Sequence, residues 1–117
     1  MARVDTLAGT GLTSFYAAGN TPENVIYETS PPAGCTIHQM WLDSASVWHD
    51  QNLTALTNGP VMDTVTPVSG FATNDTNPTH AFYIDSQGSV HEMWYSSVNN
   101  TWHDDIVWHG SIPRIIC

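Results

Sequence analysis

Residues 36–41, TIHQMW, and residues 89–94, SVHEMW, are the same strand written twice. Along Val90-His91-Glu92-Met93-Trp94 the two-residue period of an extended chain puts Val90, Glu92 and Trp94 on one face and His91 and Met93 on the other. Neither face is purely polar. A sheet packed on both sides tolerates that pattern better than a sheet with one wet face.

The duplication extends outward from these strands. Residues 15–27 (FYAAGNTPENVIY) lie over residues 71–83 (FATNDTNPTHAFY) without a gap, matching Phe15 with Phe71, Pro22 with Pro78 and Tyr27 with Tyr83. The strand motifs match Trp41 with Trp94, and the change of offset falls in the loop holding Pro31, Pro32 and Gly34. Further on, Trp48-His49-Asp50 lies over Trp102-His103-Asp104. Residues 1–117 are therefore expected to form a single domain of two tandem units, approximately 10–62 and 63–117.

Each unit predicts four short strands: Leu12 to Ala17, Val25 to Tyr27, Thr36 to Leu42 and Ser46 to Asp50, with counterparts near 68–73, 81–85, 89–95 and 101–107. Turn residues such as Gly19-Asn20, Asn58-Gly59-Pro60, Asn74-Asp75 and Gln87-Gly88 separate them, and no helical period is sustained. The expected fold is all-β, with two four-stranded propeller blades per chain. Two blades alone leave two apolar faces in water, so copies of the chain are expected to close the ring. Three chains make six blades and four make eight; the trimer is favoured. Exchange of Arg3 to Gly9 with a blade begun by Ile112 to Cys117 of another chain is one way to join them.

Composition narrows the function classes. Lys and Arg total 2 against 11 Asp and Glu, for a formal charge of -9. Arg3 and Arg114 sit near opposite ends, so no cationic surface faces phosphate or anionic lipid. Nucleic acid and direct membrane insertion are both disfavoured. Aromatics make up 10% of the residues, nearly as many as the 11% that are charged, which suits a rigid β-protein with aromatic surface. No secretion signal or membrane-length apolar run is apparent, so a cytoplasmic protein, or one released without a signal peptide, is expected. On that expectation the sequons beginning at Asn52, Asn74 and Asn99 stay bare. Cys35 and Cys117 lack metal-site spacing; free thiols are the default expectation, with a bridge within or between protomers as the alternative.

The units share (Asn/His)-x-(Ile/Phe)-Tyr, then (Ile/Val)-His-(Gln/Glu)-Met-Trp, then Trp-His-Asp. This signature, spanning both units, resembles the bacterial and fungal fucose-binding β-propeller lectins, of the Photorhabdus type and more distantly the Aleuria type. The resemblance implies sugar sites in clefts between blades. It also implies a short two-blade form that trimerises, as in some Aleuria-type proteins. Aleuria-type sites use an Arg, a Glu and a Trp. Carried over, the Arg position falls on Asn24 and His80, the Glu on Gln39 and Glu92, and the Trp on Trp48 and Trp102. Arg is absent from both units, and His at that position looks like the Photorhabdus type. The Gln39 and Glu92 clefts are expected to differ in ligand or strength.

Chemistry gives Glu92 and Trp94, two residues apart on one side of a strand, an independent rationale. A pyranose presents a C–H patch and a fan of hydroxyls, so its site needs an aromatic plate and fixed acceptors and donors. The candidate sugar-binding residues are Glu92, Trp102, His80, Trp94, Gln39, Trp48, Asn24 and Trp41. Core packing is the competing role for Trp41 and Trp94 in mid-strand, whereas Trp48 and Trp102 adjoin polar turns. With so few bases, Glu92 is expected to pair with hydroxyls, backbone amides or ligand rather than in a salt bridge. His38 and His91 are expected to hydrogen-bond across blades, and the His49-Asp50 and His103-Asp104 pairs to be structural rather than metal ligands. No cofactor or metal is expected. A nucleophilic triad lacks a motif, and only one Glu per two units falls at the site, so an enzyme is not expected. A glycoside-acting enzyme and a protein-binding propeller module are the alternatives.

Overall fold

A computed structural model of the chain describes residues 11–16, 23–29, 35–62, 68–76 and 78–110. The exchange of Arg3 to Gly9 with Ile112 to Cys117, the turn at Gly19-Asn20 and the loop at Pro31-Pro32 lie outside the described residues. All eight expected strands form: β1 (Leu12–Tyr16), β2 (Glu23–Glu28), β3 (Ile37–Leu42), β4 (Trp48–Asn52), β5 (Ser69–Ala72), β6 (Thr79–Ile84), β7 (Val90–Ser96) and β8 (Thr101–Trp108). They make two open antiparallel meanders, β1-β2-β3-β4 and β5-β6-β7-β8. The fold is all-β, with two four-stranded sheets that are the two sequence repeats.

The two sheets share one register. In the first sheet Phe15 pairs with Asn24, Asn24 with Trp41, and Trp41 with His49. In the second, Phe71 pairs with His80, His80 with Trp94, and Trp94 with His103. Each residue of one row is the sequence counterpart of the same position in the other. A one-residue slip would have put these side chains on opposite faces.

One element was not expected from sequence. A single helical turn, α1 (Leu53–Thr57), follows β4. The Asn52 side chain accepts from the Ala55 N–H at 3.0 Å, and Asn58 closes the turn in the left-handed conformation at φ 55°. Five residues are too few to show helical periodicity, and these local polar contacts set the turn instead.

The sheets meet through unlike faces. Alternation places Asn24, Ile26, Gln39 and Trp41 on one side of the first sheet, and Ala81, Tyr83, Met93 and Trp102 on the inner side of the second. Ile26, Ile37, Ala81, Tyr83 and Met93 join Leu53, Met62 and Val68 of the connecting segment in the buried core, with Phe15 and Trp102 packed against it. β1 lies beside β5, and α1 touches β3 and β8. A Cβ added to Gly70 would come within 2.9 Å of the Phe15 ring, so glycine is required where the two strands approach. Glu28, fully buried, accepts from the Val68 N–H at 2.7 Å and ties the sheets together.

Cys35 packs in this core and is disulfide-bonded, which corrects the expectation of free thiols. The chain's other cysteine, Cys117, lies outside the described residues. Among the described residues, no helix is long and apolar enough to cross a membrane.

Candidate functional site

The outer face of the second sheet gathers the polar and aromatic residues with binding chemistry. Across β5 to β8 it presents Phe71, His80, Trp94 and His103 in one row, with Phe82, Glu92 and Asp105 in the next. Phe71 stacks on His80 with centroids 4.9 Å apart and planes 6° from parallel, and Trp94 stacks on His103 at 4.3 Å. Cross-strand neighbours on one face of a pleated sheet are close enough for such contacts.

Glu92 takes a basic partner, contrary to the expectation from the scarcity of Lys and Arg. Its Oε2 lies 2.8 Å from Nδ1 of His80, on the adjacent strand. Histidine was the base that counting Lys and Arg overlooked. The other ring nitrogen of His80 is 3.3 Å from the Thr73 hydroxyl, which in turn donates to Asp75 at 2.9 Å. The carboxylate and imidazole of this pair stay partly exposed, at 25% and 15%. Trp94 donates its indole N–H to Asp105 at 2.8 Å. Asp105 was not singled out in sequence; its place opposite Glu92 in the β7–β8 register is the signal that finds it.

The counterpart in the first sheet is of another kind. Gln39 donates to Asn24 at 2.6 Å, and Gln51 donates to Gln39 at 2.7 Å. Both Asn24 and Gln39 are buried, on the face that meets the second sheet. Trp41 stacks on His49 at 5.0 Å, repeating the Trp94–His103 pair. The row is thus conserved between repeats, while the carboxylate–imidazole pair is replaced by amides.

Trp48 and Trp102 do not share a face with the acidic and amide positions of their own sheets. Trp48 pairs with Leu42, and Trp102 with Tyr95, one residue out of phase with the rows that hold Gln39 and Glu92. Trp102 therefore faces the first sheet and packs at the core edge, whereas Trp48 is 44% exposed on the outer side of the first sheet.

His38 and His91 bond within their own sheets rather than across them, because hairpin neighbours reach them first. His91 sits between two carboxylates, with Nε2 and Nδ1 each 2.6 Å from Asp85 and Asp104. His38 contacts Asp50 at 3.2 Å. Asp104 also accepts from the Tyr83 hydroxyl, and Asp50 from Tyr27 at 2.6 Å. Burial first, and then the adjoining carboxylate, push both phenols well above the usual tyrosine range, so they remain donors. Asp50 and Asp104 are thus committed to internal clusters. Among the described residues no group of three or more His, Cys, Asp and Glu side chains is placed to hold a metal ion.

Two packed four-stranded antiparallel sheets define the class of the protein: all-β. Beyond that class, no protein-family model, curated protein or solved structure matches the chain.

Proposed function

We propose that the chain is a carbohydrate-binding lectin whose two sheets are propeller blades, and that three copies assemble into a closed six-blade ring. The observation that carries the reading is the outer face of β5–β8, where a hydrogen-bonded Glu92–His80 pair lies beside the Trp94 ring. A carboxylate held by one neighbour accepts hydroxyl hydrogen bonds without reorganisation, and an indole offers a plate for a C–H patch. The ligand proposed is fucose or a related glycan, including O-methylated forms. That choice rests on the likeness of the repeated motifs to fucose-binding propeller lectins.

The way the sheets stack supports the ring reading. Unlike faces meeting head to tail make a heterologous contact, and repetition of such a contact closes a ring when the rotation allows. Several sites on one rigid ring then offset the weakness of each sugar contact by avidity.

A glycoside-acting enzyme is the less favoured reading. Glu92 and Asp105 are neighbours on one sheet face, and hydrolysis needs two carboxyls flanking the scissile bond. The deciding experiment is titration calorimetry with L-fucose and its methyl glycoside, paired with light scattering. Saturable binding by a particle of three chains supports the lectin and the ring together. A well-folded oligomer that binds neither sugar withdraws fucose as ligand, and a glycan array without any binder overturns the lectin.

A further inference from the structure

Three sequons remain without a role: Asn52-Leu53-Thr54, Asn74-Asp75-Thr76 and Asn99-Asn100-Thr101. Whether such a triplet carries sugar depends on the compartment the chain passes through and on the freedom of the triplet's own groups. A cytosolic chain keeps its sequons bare, and it also keeps its thiols reduced. Here Cys35 is buried and disulfide-bonded, and no cysteine among the described residues is free. Disulfides persist in the secretory lumen and outside the cell, the same route along which asparagine is glycosylated. The bond therefore removes the reason for expecting bare sequons.

The fold separates the three triplets. Asn52 is spent at the start of α1, where its side-chain oxygen accepts from the Ala55 N–H at 3.0 Å. The two residues after it are enclosed: Leu53 is fully buried, and the buried Thr54 hydroxyl accepts from the Ile37 N–H at 2.9 Å. Sugar on Asn52 would be rooted at the seam between α1 and β3. Asn99, Asn100 and Thr101, at the turn from β7 to β8, are all exposed. The backbone of that turn is held. The Ser96 hydroxyl accepts from the Asn99 N–H at 3.4 Å, and Asn100, left-handed at φ 54°, accepts from the Tyr95 hydroxyl at 3.0 Å. The Asn99 side-chain amide makes no hydrogen bond among the described residues. Asn74, Asp75 and Thr76 are exposed too and adjoin this turn, the Thr76 carbonyl accepting from the Ser97 N–H at 2.9 Å and hydroxyl at 2.8 Å.

We propose that Asn99 and Asn74 carry N-linked glycans and that Asn52 carries none. The donor is an oligosaccharide on a lipid pyrophosphate, and the transferase is one of the secretory lumen. The asparagine Nδ2 bonds to the anomeric carbon as that carbon's bond to the pyrophosphate oxygen breaks. The lipid pyrophosphate leaves with the electron pair, and one amide proton is lost. Both acceptors lie in turns at the ends of strands rather than on a sheet face, so sugar there is compatible with stacking of the sheets.

The protein isolated from its natural source tests this. Peptide-N-glycosidase digestion in heavy-oxygen water converts each glycosylated asparagine to labelled aspartate, which peptide mapping locates. Label is expected at Asn99 and Asn74 and not at Asn52, with both cysteines alkylated only after reduction. A missing label at Asn99 or Asn74 overturns the proposal at that residue. Label at Asn52 overturns selection by the fold, and cysteines alkylated without reduction overturn the compartment argument.

Variants separate the sequon from its surroundings. Expressed behind a leader in a eukaryotic secretory host, Thr101→Ala leaves Asn99 in place but removes its sequon, and its intact mass should fall by one glycan. Thr101→Ser keeps the sequon and should keep the glycan. Equal glycan content in the wild type and Thr101→Ala rules out Asn99 as an acceptor.

Discussion

At the scale of single residues, the most heavily committed side chain is His91. Each of its ring nitrogens lies 2.6 Å from a carboxylate, Nε2 from Asp85 and Nδ1 from Asp104. His91→Ala leaves two low-exposure carboxylates without their shared partner and should cost about 3–5 kcal/mol in a denaturant titration. Burial pushes the Asp85 carboxyl upward, but hydrogen bonds from His91 and from the Ser89 and Gln87 N–H groups outweigh it and hold the acid below its ordinary 3.8. A carboxyl depressed in the folded state stabilises above its unfolded value, and that contribution is lost as pH falls through the folded one. Acid unfolding linked to Asp85 is therefore expected below pH 3.8. In Asp85→Asn, stability should be lower at neutral pH and flatter through that acidic window, as measured by denaturant midpoints across pH.

At the scale of elements, two hairpin turns use one device. Asp43 accepts from the Ala45 and Val47 N–H groups and pairs with His49, and Asp85 accepts from Gln87 and Ser89 and pairs with His91. In both, the residue three after the aspartate is left-handed: Ser46 at φ 63° and Gly88 at φ 83°. Serine bears a Cβ cost there that glycine does not, so Ser46→Gly should raise stability by about 0.5–1 kcal/mol. Gly88→Ala should lower it, and paired thermal melts would show opposite signs. Asn52→Ala removes the α1 cap and should cost about 1 kcal/mol by the same melts. Strands and register were legible because duplicated motifs such as TIHQMW and SVHEMW constrain each other across the two sheets. The one-turn α1 was not legible, being decided by side-chain caps rather than by a period. Glu92 and His80 were legible as site candidates, but their hydrogen bond was not. Which face Trp48 and Trp102 occupy depended on a one-residue phase that only register reveals.

At the scale of the whole molecule, the balance is between apolar faces that favour stacking and a charge that opposes it. Phe71 and Trp108 on one side, and Leu12, Tyr16 and Trp48 on the other, leave a lone chain with large apolar side chains open to water on both faces. If copies cover those faces, folding and association are linked, and the melting temperature should climb with protein concentration. Opposing this, each chain carries a formal charge of -9, and like-charged copies repel across any junction. Screening acts over about 10 Å at 0.1 M salt, so the repulsion should fade with added salt while apolar stacking does not. Assembly is therefore expected to strengthen from low to moderate ionic strength, with mass by light scattering and melting temperature rising together. A melting temperature indifferent to both concentration and salt, from a particle that stays monomeric, would mean that each chain satisfies its own faces and that the ring does not form.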